Sequence, residues 1–303
     1  MNIGLIGRSD LLFNTLVKLH KKKINISFVY TSKSENYYYK KEKDFRNFCK
    51  KKKIKFYCDN KLNKNYKKLD NIKTKVIFSV NFPFKINNSI LKYFKYGFFN
   101  AHLGDLPKYR GNASPNWAIL NGEKSIPLCI HKMSSGIDEG DIFSKKYFSI
   151  KKNCYIGEIY NWANNYISTG FYSLYKALVS NKLILKKQRG KVIRVYPRQE
   201  SDSKINWNDT AENIEKLIRA SSLPFSGAYF FLNKKKYRIF KAKILRPNFK
   251  YYAIPGQVCE VNKNNPVIAT GRGMIEIIQM SNDEKKNLAL KKIISKSLRN
   301  RLG

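Results

Sequence analysis

The sequence predicts an α/β chain, a doubly wound and mostly parallel sheet followed by a small OB-like β-barrel. Three observations predict it. The first half alternates short apolar runs with amphipathic segments, the pattern of βαβ units around a parallel sheet. Residues 188–204 are polar and carry Pro197, which marks a connection. From Ala228 onward short strand-like stretches are broken by Pro255-Gly256 and Gly271-Arg272-Gly273, which suits a barrel of about a hundred residues. With 303 residues there is room for both, and for a sizeable core in the first. The expected division is 1–187 for the first domain, 188–205 for a linker and 206–303 for the second.

Taken in order, apolar runs at 3–6, 26–30, 55–57, 76–80, 98–101 and 128–132 read as strands. Amphipathic stretches at 11–21, 44–52, 87–93, 115–121 and 156–179 read as the helices between and after them. In the second half, 210–220 reads as one helix with Ile214, Leu217 and Ile218 on a single face. Gly4-Leu5-Ile6-Gly7 is not the GxGxxG fingerprint, so NAD binding is not expected, and no phosphate-cradling P-loop is present. No apolar run approaches membrane-spanning length and the N-terminus reads as a strand rather than a signal peptide, so a cytoplasmic protein is expected.

The five cysteines are odd in number and scattered, which supports neither a disulfide framework nor a structural zinc site. The formal net charge of +39 has two readings. A field of that strength attracts polyanions. Equally, Lys, Asn, Ile and Tyr are residues of AT-rich codons, and lysines are spread along the whole chain rather than gathered on one segment. Clusters such as Lys50 to Lys53 and Lys234 to Lys236 read as solvated faces.

The chemistry concentrates in Asn100-Ala101-His102 and, further on, Ile137-Asp138-Glu139-Gly140-Asp141. An amine attacking an acyl carbon needs a donor aimed at the developing oxyanion and a group that manages the amine's proton. The Asn100 carboxamide can supply the donor, shared with a protonated His102 in a second division of labour. His102 lies two residues on, on the same side of an extended chain. Its imidazole titrates near neutrality, and Asp138, between Gly136 and Gly140, is the candidate carboxylate to raise its pKa. Each residue alone has a plain structural reading, as strand end, hydrogen-bonded histidine and turn former. Together, flanking the basic turn Leu106-Pro107-Lys108-Tyr109-Arg110-Gly111, they point to transfer of a one-carbon acyl unit. His20 and His131 complete the histidines, but no HxxxH or HxH spacing links them to His102, so no metal is expected.

The run from Phe98 to Gly111 resembles the core motif of the formyltransferases that use 10-formyltetrahydrofolate, and Ile137 to Asp141 resembles their second motif. Landmarks that look like the family's C-terminal domain follow at Tyr196-Pro197-Arg198-Gln199, Ile205-Asn206-Trp207 and Pro255-Gly256-Gln257-Val258. The resemblance implies a Rossmann-like catalytic domain, with Asn100, His102 and Asp138 as the catalytic trio. For the folate it implies Phe84, Lys85, Ile86, Asn112, Ser134, Ser135, Gly136 and Ile137, and for the substrate Arg110 and Trp117. Some sugar enzymes of the family have arginine where this chain has Asn112, which keeps a donor and loses the charge. Residues 32–52 are Tyr- and Lys-rich and lack the Pro/Gly/Arg-rich loop of the methionyl-tRNA enzymes. Val76-Ile77-Phe78-Ser79, residues 114–123 and residues 223–228 also look sugar-type. The expected acceptor is therefore a nucleotide-linked amino sugar, of the kind used in lipopolysaccharide or O-antigen biosynthesis, with methionyl-tRNA as the alternative. Nucleic acid is expected as a partner only under that alternative, and a homodimer through the C-terminal half is compatible with the pattern.

Overall fold

Residues Ile3–Gly7 are all buried, as a strand covered on both faces must be, and they form the first strand, β1. After it come α1 (Ser9–Lys21), β2 (Ile26–Thr31), α2 (Glu42–Lys51), β3 (Lys55–Cys58), α3 (Leu62–Asn65), β4 (Val76–Val80) and α4 (Asn88–Leu91). Then follow β5 (Phe98–Leu103), β6 (Arg110–Gly111), α5 (Ser114–Leu120), β7 (Ser125–Lys132), β8 (Ile142–Ser149), α6 (Ile156–Val179) and β9 (Arg194–Val195). The rest comprises a 3-10 turn (Glu200–Ser203), α7 (Ala211–Ser221), β10 (Ala228–Leu232), β11 (Lys235–Leu245), β12 (Val258–Asn262), β13 (Asn265–Ala269), β14 (Met274–Ser281) and α8 (Leu288–Ser295). This computed structural model describes residues 1–67, 69, 73–282 and 288–303. It divides into two units, one of Met1–Ser114, Ser125–Ser149 and Ile159–Tyr196, the other of Pro115–Lys124, Ile150–Glu158 and Pro197–Gly303.

The first unit holds a seven-stranded sheet in the order β3-β2-β1-β4-β5-β7-β8. Strands β1 to β5 pair in parallel, whereas β7 and β8 run antiparallel. Alternation along each strand splits the core in two. Ile3, Leu5, Val29, Phe78 and Phe99 pack on one face with Leu12, Leu16 and Phe171 of the helices. On the other face Ile6, Phe28, Ile77 and Phe98 gather with Ile86 and Ile90. The Phe78 and Phe171 rings stack at 4.5 Å, which fixes α6 against the sheet centre.

Most expected elements fall within two residues of their observed ends, and the differences have physical causes. Strand β5 runs to Leu103 rather than stopping at residue 101, because β7 pairs with it through Leu103↔Leu128. Tertiary pairing overrides the low strand propensity of Asn-Ala-His. Strand β7 begins at Ser125, three residues early, and β8 was not expected at all. The β8 burial pattern is largely intermediate to exposed, so it carries little apolar signal. Helix α4 shrinks to Asn88–Leu91, beyond which Lys92 and Tyr93 close as hydrogen-bonded turns.

The second unit carries a five-stranded antiparallel sheet in the order β10-β11-β14-β13-β12. Residues 300–303 join its two edges. The Leu302 N–H donates to the Gly256 carbonyl at 2.8 Å beside β12, and the Gly303 N–H donates to Phe231 of β10 at 2.8 Å. Closing an edge in this way leaves fewer unpaired backbone groups. Helix α7 begins where expected, with the Thr210 hydroxyl accepting the Asn213 N–H at 3.2 Å as its N-cap.

Arg219 of α7 is 6 % exposed and donates to both Glu215 oxygens, at 2.7 and 2.8 Å, and to the Cys154 carbonyl at 3.0 Å. Burial raises the Glu215 carboxyl above its ordinary value even with Arg219 beside it. Arg219→Met strands a buried carboxylate and a carbonyl, an expected loss of about 3–5 kcal/mol at neutral pH. The loss shrinks as pH falls, because Glu215 can then take a proton. Chemical denaturation of the two proteins at neutral and mildly acidic pH measures this, and coincident midpoints would refute it. Among the described residues no helix is long and apolar enough to cross a membrane.

Candidate active site

Asn100 and His102 share one face of β5, since alternate strand residues do. That is the face of Phe98, with its neighbours Ile77 and Ile86. Strand β4 ends at Val80, opposite Ala101, so His102 stands beyond the carboxyl end of its parallel neighbour. Ligands bind there in open α/β sheets. On the other side β7 supports the strand, with Asn100 opposite His131 and His102 opposite Cys129.

His102 is 7 % exposed. Its Nε2 lies 2.7 Å from the Tyr109 carbonyl, and its Nδ1 lies 3.4 Å from Asp138 Oδ2. Tyr109 has a φ of +60°, and its carbonyl also accepts the Ser114 hydroxyl at 3.0 Å. A Cβ on residue 104 would fall 2.4 Å from His102 Nε2, so only glycine leaves the ring its place.

Asp138 sits between two imidazoles. Its Oδ2 accepts the Gly111 N–H at 2.9 Å, and its Oδ1 lies 3.4 Å from His131 Nε2. It occupies the loop between β7 and β8 with a φ of +54°, a region aspartate tolerates better than most residues. The loop turns tightly at Gly140, where a Cβ would lie 1.7 Å from the Lys132 carbonyl.

Burial pulls the His102 imidazole below its ordinary value, against the opposing pull of Asp138 and the Tyr109 carbonyl. The Asp138 carboxyl is raised by burial, yet His102, His131 and the Gly111 N–H together hold it well below the usual carboxylate range. The pair therefore rests as a carboxylate beside an imidazole readily left neutral. Both ring nitrogens of His102 face acceptors. The neutral ring leaves one of them unmatched, whereas an imidazolium donates to both. This geometry favours taking up a proton when one is offered.

Other expected residues are placed as follows. Arg110 gives its Nε and Nη2 to Gln188 at 3.1 and 2.9 Å, and its Nη1 lies 3.5 Å from Glu139. Its guanidinium thus faces two protein partners. Asn112 is exposed, with its N–H on the Val195 carbonyl at 3.1 Å. Phe84 and Lys85 are exposed on the loop after β4, while Ile86 is buried and anchors it. The Asn63 carboxamide holds that loop at the Lys85 carbonyl and the Asn87 N–H, at 2.8 and 3.1 Å. Ser134, Ser135 and Ile137 are exposed and Gly136 is half-buried, on the loop that carries Asp138. Trp117 stands half-buried on α5, within the second unit.

Sequence reasoning missed three contributors. His131, set aside above for want of a metal-ligand spacing, lies in register with Asn100, and its ring centroid is 6.2 Å from that of His102. Its signal was the two-residue alternation with Cys129 on a strand. Gln188, inside the stretch expected as a connection, donates to the Asp138 and Gly140 carbonyls at 2.7 and 2.8 Å. The Tyr109 carbonyl left no signal, because a backbone group has none. Among the described residues no group of three or more His, Cys, Asp or Glu is placed to hold a metal ion.

An imidazole buried against a carboxylate, at the strand ends of a doubly wound sheet, is equipment for transferring a group onto a nucleophile that must shed a proton. The family is fixed by comparison. Residues 1–172 match the model described as "Formyl transferase", and residues 197–298 match "Formyl transferase, C-terminal domain". A methionyl-tRNA formyltransferase of Rickettsia typhi (strain ATCC VR-144 / Wilmington) is 30 % identical over 73 % of this chain and 70 % of its own. The bifunctional polymyxin resistance protein ArnA of Wigglesworthia glossinidia brevipalpis is 34 % identical over 69 % of this chain, which spans only 32 % of that protein. Among solved structures, the N-formyltransferase from Helicobacter canadensis in complex with folinic acid and dTDP-3-aminofucose superposes with a TM-score of 0.70 at 21 % identity, covering 92 % of this chain and 99 % of its own. This chain belongs to the formyl transferase family and is a folate-dependent formyltransferase, whose formyl donor is 10-formyltetrahydrofolate.

Proposed function

We propose that this enzyme formylates the amine of a nucleotide-linked amino sugar, with Asn100, His102 and Asp138 as the working groups. The single observation that carries the acceptor class is the segment between β2 and α2, residues 32–41. It is folded down by its own contacts. Arg8 Nη1 meets Glu35 at 2.6 Å, and the Asp10 carboxylate accepts the N–H groups of Tyr39 and Lys40 at 3.2 and 2.9 Å. The Asn81 carboxamide donates to the Tyr38 hydroxyl at 2.7 Å. Tyr38, with the Tyr37 ring edge-on at 4.7 Å, therefore stands by the ends of β1 and β4, in a stretch without the tRNA enzymes' Pro/Gly/Arg-rich loop. Aromatic rings with polar tips suit a base or sugar ring. A shared fold with an enzyme that binds dTDP-3-aminofucose agrees with this, as analogy.

10-Formyltetrahydrofolate supplies the electrophilic formyl carbon. The chain's loops fit such a molecule. Phe84 and Ile137 offer exposed apolar surface, and the hydroxyls of Ser134 and Ser135 and nearby backbone groups suit the polar edge of a flat ring. His102 takes the proton shed by the acceptor amine, between Asp138 and the Tyr109 carbonyl, and can return it to the departing folate nitrogen, so that formamide and tetrahydrofolate leave with the proton count unchanged. Asn100, on the same face two residues before, offers carboxamide N–H donors where negative oxygen develops.

The test is formyl transfer to a panel of dTDP- and UDP-linked amino sugars, with methionyl-tRNA in a parallel reaction. Transfer to a sugar alone is the expected result and identifies its carrier and amine. Methionyl-tRNA is the second reading, favoured by the net charge of +39 and by the Rickettsia relative. It requires tRNA binding that weakens steeply with salt. Transfer to tRNA alone would overturn the sugar assignment.

A further inference from the structure

Asp138 can orient His102 only while its own loop stays in place, and the side chain that holds that loop is Gln188. The Gln188 carboxamide is fully used. Its nitrogen donates to the Asp138 carbonyl at 2.7 Å and to the Gly140 carbonyl at 2.8 Å, while its oxygen accepts from Arg110 Nε and Nη2 at 3.1 and 2.9 Å. Two donors given and two accepted is the full capacity of a primary amide. Arg110 in turn approaches Glu139 at 3.5 Å, and Arg194 Nη2 donates to the same Glu139 oxygen at 3.1 Å.

The backbone closes the circuit. Arg110 and Gly111 pair in parallel with Arg194 and Val195, a two-residue ladder apart from the main sheet. Gly111 has a φ of +115°, and a Cβ there would lie 2.1 Å from the Val195 carbonyl. The Gly111 N–H is the donor that meets Asp138 Oδ2 at 2.9 Å. Three stretches, at 110–111, 138–140 and 188–195, thus lock together through the side chains of Arg110, Glu139 and Gln188, and Gln188 is the one that binds the backbone of 138–140. Asp138 sits in the left-handed region at a φ of +54°, which aspartate tolerates at a cost that its surroundings must offset. Both carbonyls that Gln188 binds flank that strained turn.

We propose that Gln188 is a positioning residue for formyl transfer. It fixes the backbone of residues 138–140 so that the Asp138 carboxylate faces His102, and it sets the transfer rate without touching either substrate. The proposal rests on the reading that Asp138 orients His102. Substrate affinities should change less than the rate, because Gln188 acts on the carbonyls of 138 and 140 behind the carboxylate and itself meets only groups of the chain.

Gln188→Glu keeps an acceptor for Arg110 and replaces the two donations by repulsion from two carbonyls. Gln188→Met keeps the length and removes all four bonds without adding charge. For whichever variant retains the wild-type circular dichroism, kcat is expected to fall about tenfold to a hundredfold, as for other residues that orient a first-contact ligand. KM for folate and for acceptor should change less than about threefold, since uniform binding is untouched. The deciding experiment is a double-mutant cycle with Asp138→Asn, by single-turnover transfer with enzyme in excess so that slow variants stay measurable. A Gln188 substitution that costs nothing further in the Asp138→Asn background supports the proposal. An undiminished cost there, or wild-type kcat in both folded Gln188 variants, overturns it while leaving the Asp138 reading intact. Wild-type rates for Asp138→Asn alone would remove the site reading and this proposal together.

Discussion

Asp138→Asn is expected to lower kcat by about 10²- to 10⁴-fold, the range that a positioned acid–base group contributes. Asparagine keeps the shape, and its oxygen can still accept the Gly111 N–H. What disappears is the charge between His102 and His131. An amide N–H aimed at His102 Nδ1 would favour the wrong tautomer, and an imidazolium beside it would have no counter-charge. Burial already pulls the His102 imidazole down, with Asp138 the leading opposing influence, so the variant's imidazole should titrate lower still. Stability changes with it. The folded Asp138 carboxyl titrates below its unfolded value, so it contributes stability above about pH 4 that is lost as pH falls through the folded value. The variant should be less stable than wild type at neutral pH, and the two should converge in acid. Steady-state kinetics and acid titration of the fold check both halves.

His102→Ala is expected to reduce transfer by a further margin, to the level left by binding and Asn100 alone. The Tyr109 carbonyl keeps the Ser114 hydroxyl as a donor, so the turn it belongs to should stand. Folate titration should be unchanged, because the loops proposed to hold the folate, after β4 and β7, do not contain His102. Adding Asp138→Asn to His102→Ala should cost little more, since groups that act as a unit are not additive. Wild-type rates in the alanine variant would mean that the imidazole has no part in the chemistry. His102 also links pH to stability in the same direction as Asp138. Its folded value lies below the ordinary 6.5, so the unfolded chain binds a proton more readily and stability declines as pH falls through that ordinary value.

The legible part of this molecule was the local part. Apolar runs located β1, β2 and β4 because a strand buried on both faces announces itself by composition alone. Asn100, His102 and Asp138 were legible as a set because their order and the glycines around Asp138 are local features. What pairs them is not local. The register that sets Asn100 opposite His131 belongs to an antiparallel neighbour reached through residues 104–124, and no single strand encodes it. Gln188 was hidden for the same reason. It lies fifty residues from Asp138 in a polar stretch, where composition reads as a connection. Strand β8 was missed because its exposed and half-buried residues lack the alternation that reveals a strand. Arg110 was expected at the substrate, and in the structure its guanidinium meets Gln188 and Glu139.

The proposed proton uptake by His102 in the step that forms the amide should show in the rate. The most direct measurement is the pH dependence of single-turnover formyl transfer for wild type and for Asp138→Asn. The rate is expected to fall on the acid side with a midpoint below the ordinary histidine value of 6.5, and the midpoint to move further toward acid in the variant. A rate flat through the acid range in wild type, or the same midpoint in both proteins, would contradict it.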